Sequence, residues 1–241
     1  MRVESRIGRR VSVALLLTAV ALSTASAQST GNNEGSSVSG PATNVAPSAP
    51  AAPQAAPQSA PASRPAWMAP LTERDKERIE DIVESRSKGR ARVARDPDSA
   101  TARAAAALLD LDAIPLVEKQ LIGSWKCRTY GLGGTLYPNR GADVAGPFQC
   151  RVERDKVGLV LRKTTGSVTW LARLAPITAQ SLLYYGTYAA RGDKNAIYPA
   201  GDAYHHQVGI LQQLARERFR IEMPRPTHYA TSDHDVVELF R

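Results

Sequence analysis

The chain has 241 residues, room for one ordinary domain or two small ones. Its formal net charge is +8 at pH 7, and it contains only two cysteines, with no C-x-x-C spacing. No segment after residue 27 has the length or apolarity of a transmembrane helix.

The first 27 residues read as a secretory signal peptide. Arg2, Arg6, Arg9 and Arg10 form a positive region, residues 11–22 an apolar one, and Ala25-Ser26-Ala27 a small-residue cleavage site. The apolar run is short of the roughly 20 residues that span hydrocarbon, and no cysteine near the cleavage site offers a lipid anchor. The expected mature protein begins at Gln28 and is periplasmic or secreted. Losing four arginines and Glu4 takes +3 from +8 and leaves +5. A moderately basic exported protein suits an anionic envelope component such as a phosphate-bearing glycolipid. Nucleic acid is not an expected partner, because the compartment is wrong and no binding motif occurs.

Residues 28–70 form a linker rich in Ala, Pro, Ser, Gln and Gly, with eight prolines from Pro41 to Pro70. This composition buries too little apolar surface to offset the cost of ordering, so the linker is expected to be disordered and partly extended.

Residues 71–115 are expected to be helical and to pack on, or lead into, a β domain at 116–241. A first helix spans 71–88. Thr72 is its cap with Asp75 as a capping-box partner, and Leu71, Ile79, Ile82 and Val83 fall on one side. Acidic residues lead and basic ones follow, which suits the helix dipole. The basic run Arg86, Lys88, Arg90, Arg92 and Arg95 reads as a solvated helix end or as a contact for an anionic surface. A second helix spans 98–111, capped by Asp98 or Ser99 after Pro97.

From Gly123 the pattern turns to period two, with strands near 124–130, 147–153, 157–164, 167–174, 180–189, 205–213, 217–223 and 234–240. Thr165-Gly166 suits a tight turn, and the prolines fall between runs or at their ends. The expected fold is mostly β: an antiparallel up-and-down barrel or strongly twisted meander of about eight strands, preceded by two helices.

Trp125, Cys127 and Thr129 share one strand face, and Phe148, Cys150 and Val152 share a face of the next. In an oxidising compartment Cys127 and Cys150 are most simply a disulfide; half a metal site or a reactive thiol are the alternatives. If the two face each other directly, Trp125 lies opposite Val152 and Thr129 opposite Phe148.

The order of Gly123-Ser124-Trp125-Lys126-Cys127-Arg128, Phe148-Gln149-Cys150-Arg151-Val152, residues 182–186, Val208-Gly209, Arg218-Phe219-Arg220, Met223-Pro224-Arg225-Pro226 and Val236-Val237-Glu238-Leu239 resembles domain of unknown function 4893, a family of exported proteobacterial proteins. The resemblance covers roughly residues 71–241, and residues 130–146 depart from it. It implies fold and compartment and carries over no catalytic residue. Gly123-Ser124-Trp125 also resembles the entry of lipocalin and wider calycin barrels. That resemblance implies that Trp125 closes one barrel end under a basic residue of the last strand, Arg241, with Arg220 second.

No catalytic residue, cofactor or metal site is singled out. Adjacent strand residues His205 and His206 point apart; His228 and His234, with Asp233 and Asp235, could meet around a turn, but a metal site takes three or four ligands in fixed geometry and no H-E-x-x-H occurs. Ser85 and Lys88 match S-x-x-K, but Lys163-Thr164-Thr165-Gly166 and Ser232-Asp233-His234 come in the wrong order to support it. Large and small residues mix in the central strands, so Trp170, Tyr184, Gly186 and Gly209 are candidate pocket lining. The expected function is a monomeric, non-enzymatic envelope protein holding a small apolar or amphipathic ligand in its barrel. Alternatives are a structural or interaction protein of the envelope, and an envelope hydrolase.

Overall fold

The computed structural model describes residues 63–134, 139–227 and 232–241. The chain divides between Gln58 and Ser59, and every described residue lies in the second unit. The expected signal peptide and most of the expected linker lie outside the described residues. Order begins before residue 71: Ala66–Met68 form a 3-10 turn, and Met68 and Leu71 are buried with Leu183 and Val208.

Thr72 caps helix α1, Glu73–Glu80; its hydroxyl accepts the Asp75 N–H at 3.3 Å and donates to Asp75 Oδ2 at 2.9 Å. The expected single helix is broken at Asp81 and resumes as α2, Ile82–Val93. The break lets the two halves follow different strands of the curved sheet behind them. The buried side of α2 is Ser85, Gly89 and Val93 rather than Ile82 and Val83, and Val83 is 74% exposed. Small residues let this helix approach closely: a Cβ on Gly89 would lie 3.0 Å from both Leu132 and His234. Helix α3, Ala100–Asp110, is capped by Ser99 and buries Ala102, Ala105, Leu108 and Leu109. A short helix α4, Glu118–Leu121, leads into the sheet.

Eight strands follow: β1 Gly123–Leu132, β2 Ala142–Arg154, β3 Leu159–Lys163, β4 Val168–Thr178, β5 Ser181–Ala190, β6 His206–Ala215, β7 Arg218–Pro224 and β8 His234–Phe240. Each pairs antiparallel with the next, and β8 pairs with β1, so the meander closes into a barrel. Closure leaves no unpaired sheet edge. β2 starts earlier than its alternation suggested and runs through Pro147. The β1–β2 register shifts between Cys127 and Thr129, so Gly146-Pro147 sits in a bulge where the ladder asks nothing of the proline nitrogen. Pro176 sits beside a second register shift.

Alternation along the strands separates two sets of apolar residues. Trp125, Cys127, Leu161, Trp170, Tyr184, Leu211, Ile221, Val237 and Leu239 fill the barrel. Tyr130, Leu132 and Val236 face outward under α2 and α3. Cys127 and Cys150 form a disulfide with Cα atoms 5.8 Å apart. The expected register is corrected by two residues: Trp125 pairs with Cys150, and Cys127 with Phe148, so the bond joins diagonal neighbours. In the chain-entropy account, closing this loop stabilises by about 3 kcal/mol.

Candidate binding site at the barrel mouth

One end of the barrel is plugged. The Trp125 ring packs edge-on against Phe219 at 5.2 Å, and its Nε1 donates to the Leu121 carbonyl at 2.7 Å. The Arg241 guanidinium lies 3.7 Å from the centre of the Trp125 ring and donates to the carbonyls of Ile122 and Ser124. Gly123 has φ +128°, and a Cβ there would meet Arg241 at 2.7 Å, so glycine suits both the backbone turn and the stacked arginine.

The barrel's centre is packed. Tyr184 is fully buried and donates to Gln207 Oε1 at 2.9 Å. A Cβ on Gly186 would fall 2.2 Å from the Leu171 carbonyl oxygen, and one on Gly209 would fall 2.4 Å from that of Glu222. These glycines allow neighbouring strands to press together; they do not vacate room for a ligand. Of the four candidate pocket residues, Trp170 lines a cavity at the other end, and Tyr184, Gly186 and Gly209 do not.

That cavity is half-open, measures about 570 Å³ and lies at the ends of β1–β4 and β8. Its apolar wall is Phe148, Trp170, Val168, Val144 and Ala145, and its polar groups include Thr129, Ser167, Asp143, Lys163 and Asp235. Lys163 is in phase with Leu159 and Leu161, so its side chain points inward and is only 4% exposed. Its ammonium stands 4.0 Å from the Phe148 ring centre and 5.3 Å from that of Trp170, and donates to the Val168 carbonyl. Burial pulls the amine down to about 8. The β3–β4 turn makes this arrangement possible: Gly166, at φ +92°, would place a Cβ 2.8 Å from Phe148 and 3.1 Å from Lys163 Nζ.

Asp235 is in phase with Val237 and Leu239 and also points inward. Its Oδ1 lies 2.5 Å from Ser232 Oγ. Burial pushes its carboxyl up to about 7, against the pull of that hydrogen bond and of the Arg78 charge. The mouth therefore joins aromatic and aliphatic walls to an amine and a carboxyl of unusual acidity.

Residues 67–239 match the family described as domain of unknown function (DUF4893). The chain belongs to this family. No curated protein and no solved structure matches it.

Outside the DUF4893 barrel, four cations of the basic run form ion pairs within the chain. Arg86 forms two bonds to buried Glu222, at 2.6 and 2.8 Å. Lys88 pairs with Glu84, Arg90 with Asp110, and Arg92 with Asp233; Arg95 is exposed. Three of the five expected anionic-surface residues thus serve helix-to-helix or helix-to-barrel ion pairs, and Lys88 pairs within α2 while remaining exposed. Arg220, the second candidate to cover Trp125, points outward instead. It donates to the carbonyls of Leu108, Leu109 and Leu111, satisfying the C-terminal end of α3, and its Nε lies 2.9 Å from Glu222.

Sequence reasoning gave no role to the series Ser85–His234–Glu222. Ser85 Oγ lies 2.9 Å from His234 Nδ1, and His234 Nε2 lies 3.2 Å from Glu222 Oε2. This has the membership of a nucleophile relay, but the Asp233 carbonyl, 2.6 Å from Ser85 Oγ, competes for the serine hydrogen. Burial would raise the Glu222 carboxyl, yet the His234 bond and the Arg220 and Arg86 charges hold it below its ordinary value. Glu222 is thus already neutralised by two guanidiniums, which weakens its pull on an imidazolium. As built, the series ties α2 to β7 and β8. A similar cluster holds α1: Asp75 accepts from Arg78 at 2.9 Å and from Tyr198 at 2.8 Å, and lies 3.2 Å from His206 Nδ1. Of the other histidines, His205 is exposed and His228 lies outside the described residues. Among the described residues, no group of three or more His, Cys, Asp or Glu is placed to hold a metal, and no helix is long and apolar enough to cross a membrane.

Proposed function

We propose that this is an exported envelope protein that holds one small amphipathic ligand in the mouth of its barrel. The observation that carries the reading is the cavity of about 570 Å³, walled by Phe148, Trp170 and Val168 and floored by a packed core. Its size falls in the range of small-molecule sites, and its mix of apolar wall and few polar groups is typical of them. The arginine-rich N-terminal region, its apolar run and the Cys127–Cys150 disulfide support export to an oxidising compartment.

One preparation tests both parts. Protein recovered from the periplasm of an expressing bacterium should begin at Gln28. It should take up the neutral dye phenylnaphthylamine at one saturable site. Ala145→Trp, which fills the mouth from an exposed rim position, should abolish uptake while leaving the thermal melt cooperative. An intact N-terminus on membrane-bound protein would remove the export reading. A folded wild type that ignores the dye would remove the ligand reading and leave an envelope interaction role in front.

A further inference from the structure

The charges around the mouth say what kind of head group the ligand carries. Three ionisable side chains line the cavity. Asp143 already pairs with Arg140 at 3.0 Å. Asp235 is buried on the β8 side, bonded to Ser232. Lys163 has no acidic partner among the described residues, and burial is the one cause that lowers its amine. One of its three ammonium hydrogens goes to the Val168 carbonyl, which leaves two donors beside the open cavity. A nearly buried cation normally has a counter-charge, because desolvation penalises a lone charge and aromatic faces offset only part of that.

We propose that the mouth selects a monoanionic amphiphile, a carboxylic acid with an aromatic or branched apolar body, whose carboxylate takes the two free donors of Lys163 while its body lies against Phe148, Trp170 and Val168. This rests on the cavity being a ligand site and adds the chemistry of what enters it. The β3–β4 turn fits the assignment. Gly166 keeps the space above Phe148 and the lysine clear, where any side chain would crowd both. Asp235 does not oppose an anion. Burial weakens it as an acid and keeps it largely neutral below about pH 7, and the protonated carboxyl can donate a hydrogen bond to a ligand oxygen.

A matched pair of competitors tests this. Naphthaleneacetate and naphthaleneethanol share a body and differ in charge. At pH 6.5, bound phenylnaphthylamine should be displaced by the acid at a concentration about tenfold or more below that needed for the alcohol, the worth of a hydrogen bond to a charged group. In Lys163→Met the ratio should fall to about one, and in Lys163→Arg the preference for the acid should return. A thermal melt verifies that each variant is folded. Equal displacement by acid and alcohol in a wild type that binds the dye would overturn the head-group assignment and leave the cavity reading intact. So would an acid preference that persists in Lys163→Met. A folded wild type that binds no dye would overturn both.

Discussion

A carboxyl group buried at Asp235 makes the fold sensitive to pH. Its ordinary value is 3.8 and its folded value about 7. Below 3.8 both states are protonated. Between 3.8 and about 7 the unfolded chain gives up its proton while the folded chain keeps it, so stability falls as pH rises; above about 7 the loss is complete. Each unit of difference is worth about 1.4 kcal/mol. The ionisable neighbours to consider are Arg78 from α1, Lys163 and Asp143 across the cavity, and His234 beside it in the chain. Asp235→Asn should remove this slope. In urea titrations its stability relative to wild type should rise across that window and then level off. A constant difference at every pH would contradict the burial account. Lys163 and Asp235 were both legible in principle, since each stands in phase with inward apolar residues of its own strand. A charged residue on an apolar face is the signal. It went unread because Lys163 lay inside a partial K-T-G match, and Asp235 lay among histidines weighed as metal ligands.

At the scale of elements, the helices are held to the barrel by buried ion pairs as well as by apolar contact. Arg220 joins the last carbonyls of α3 to Glu222 of its own strand, and Arg86 brings α2 to the same carboxylate. Removing Arg220 leaves Glu222 paired with Arg86 but takes the donor from the α3 carbonyls of Leu108, Leu109 and Leu111, and a buried acceptor left unmade costs about 1–3 kcal/mol. Arg220→Leu should therefore lower unfolding free energy by that order and speed hydrogen exchange of the α3 amides before those of the β5–β6 ladder. Unchanged stability with α3 still protected would show that apolar packing of Ala105 and Leu108 alone docks the helix. The strands were readable from alternation because each has one face in the core. The buried side of α2 was not, because Ser85 and Gly89 carry little hydrophobic signal and are buried for their small size. The Gly146-Pro147 bulge escaped for a related reason. A proline reads locally as the end of a strand, and only the pairing with β1 shows that the strand continues through it.

At the scale of the whole molecule, the domain is a closed eight-stranded barrel with a plugged end, a packed centre and an open mouth. Trp125, Phe219, Leu121 and Arg241 block one end. Leu161, Tyr184, Leu211, Ile221 and Val237 pack together midway. The mouth lies where Phe148 of β2, Lys163 at the end of β3 and Trp170 near the start of β4 meet around a half-open cavity. Closure could be anticipated from eight short strands in series. The Trp125–Arg241 plug was implied by the resemblance at Gly123-Ser124-Trp125; the open mouth could not be anticipated, since it depends on side chains from five strands meeting there. The most direct test is a crystal structure of the protein with naphthaleneacetate. The expected result is one ligand in the mouth, its ring against Phe148 and Trp170 and its carboxylate on Lys163 Nζ, with the Trp125 end unchanged. A ligand seated at the Trp125 end, among the helices, or with its carboxylate turned to solvent away from Lys163 would contradict the account.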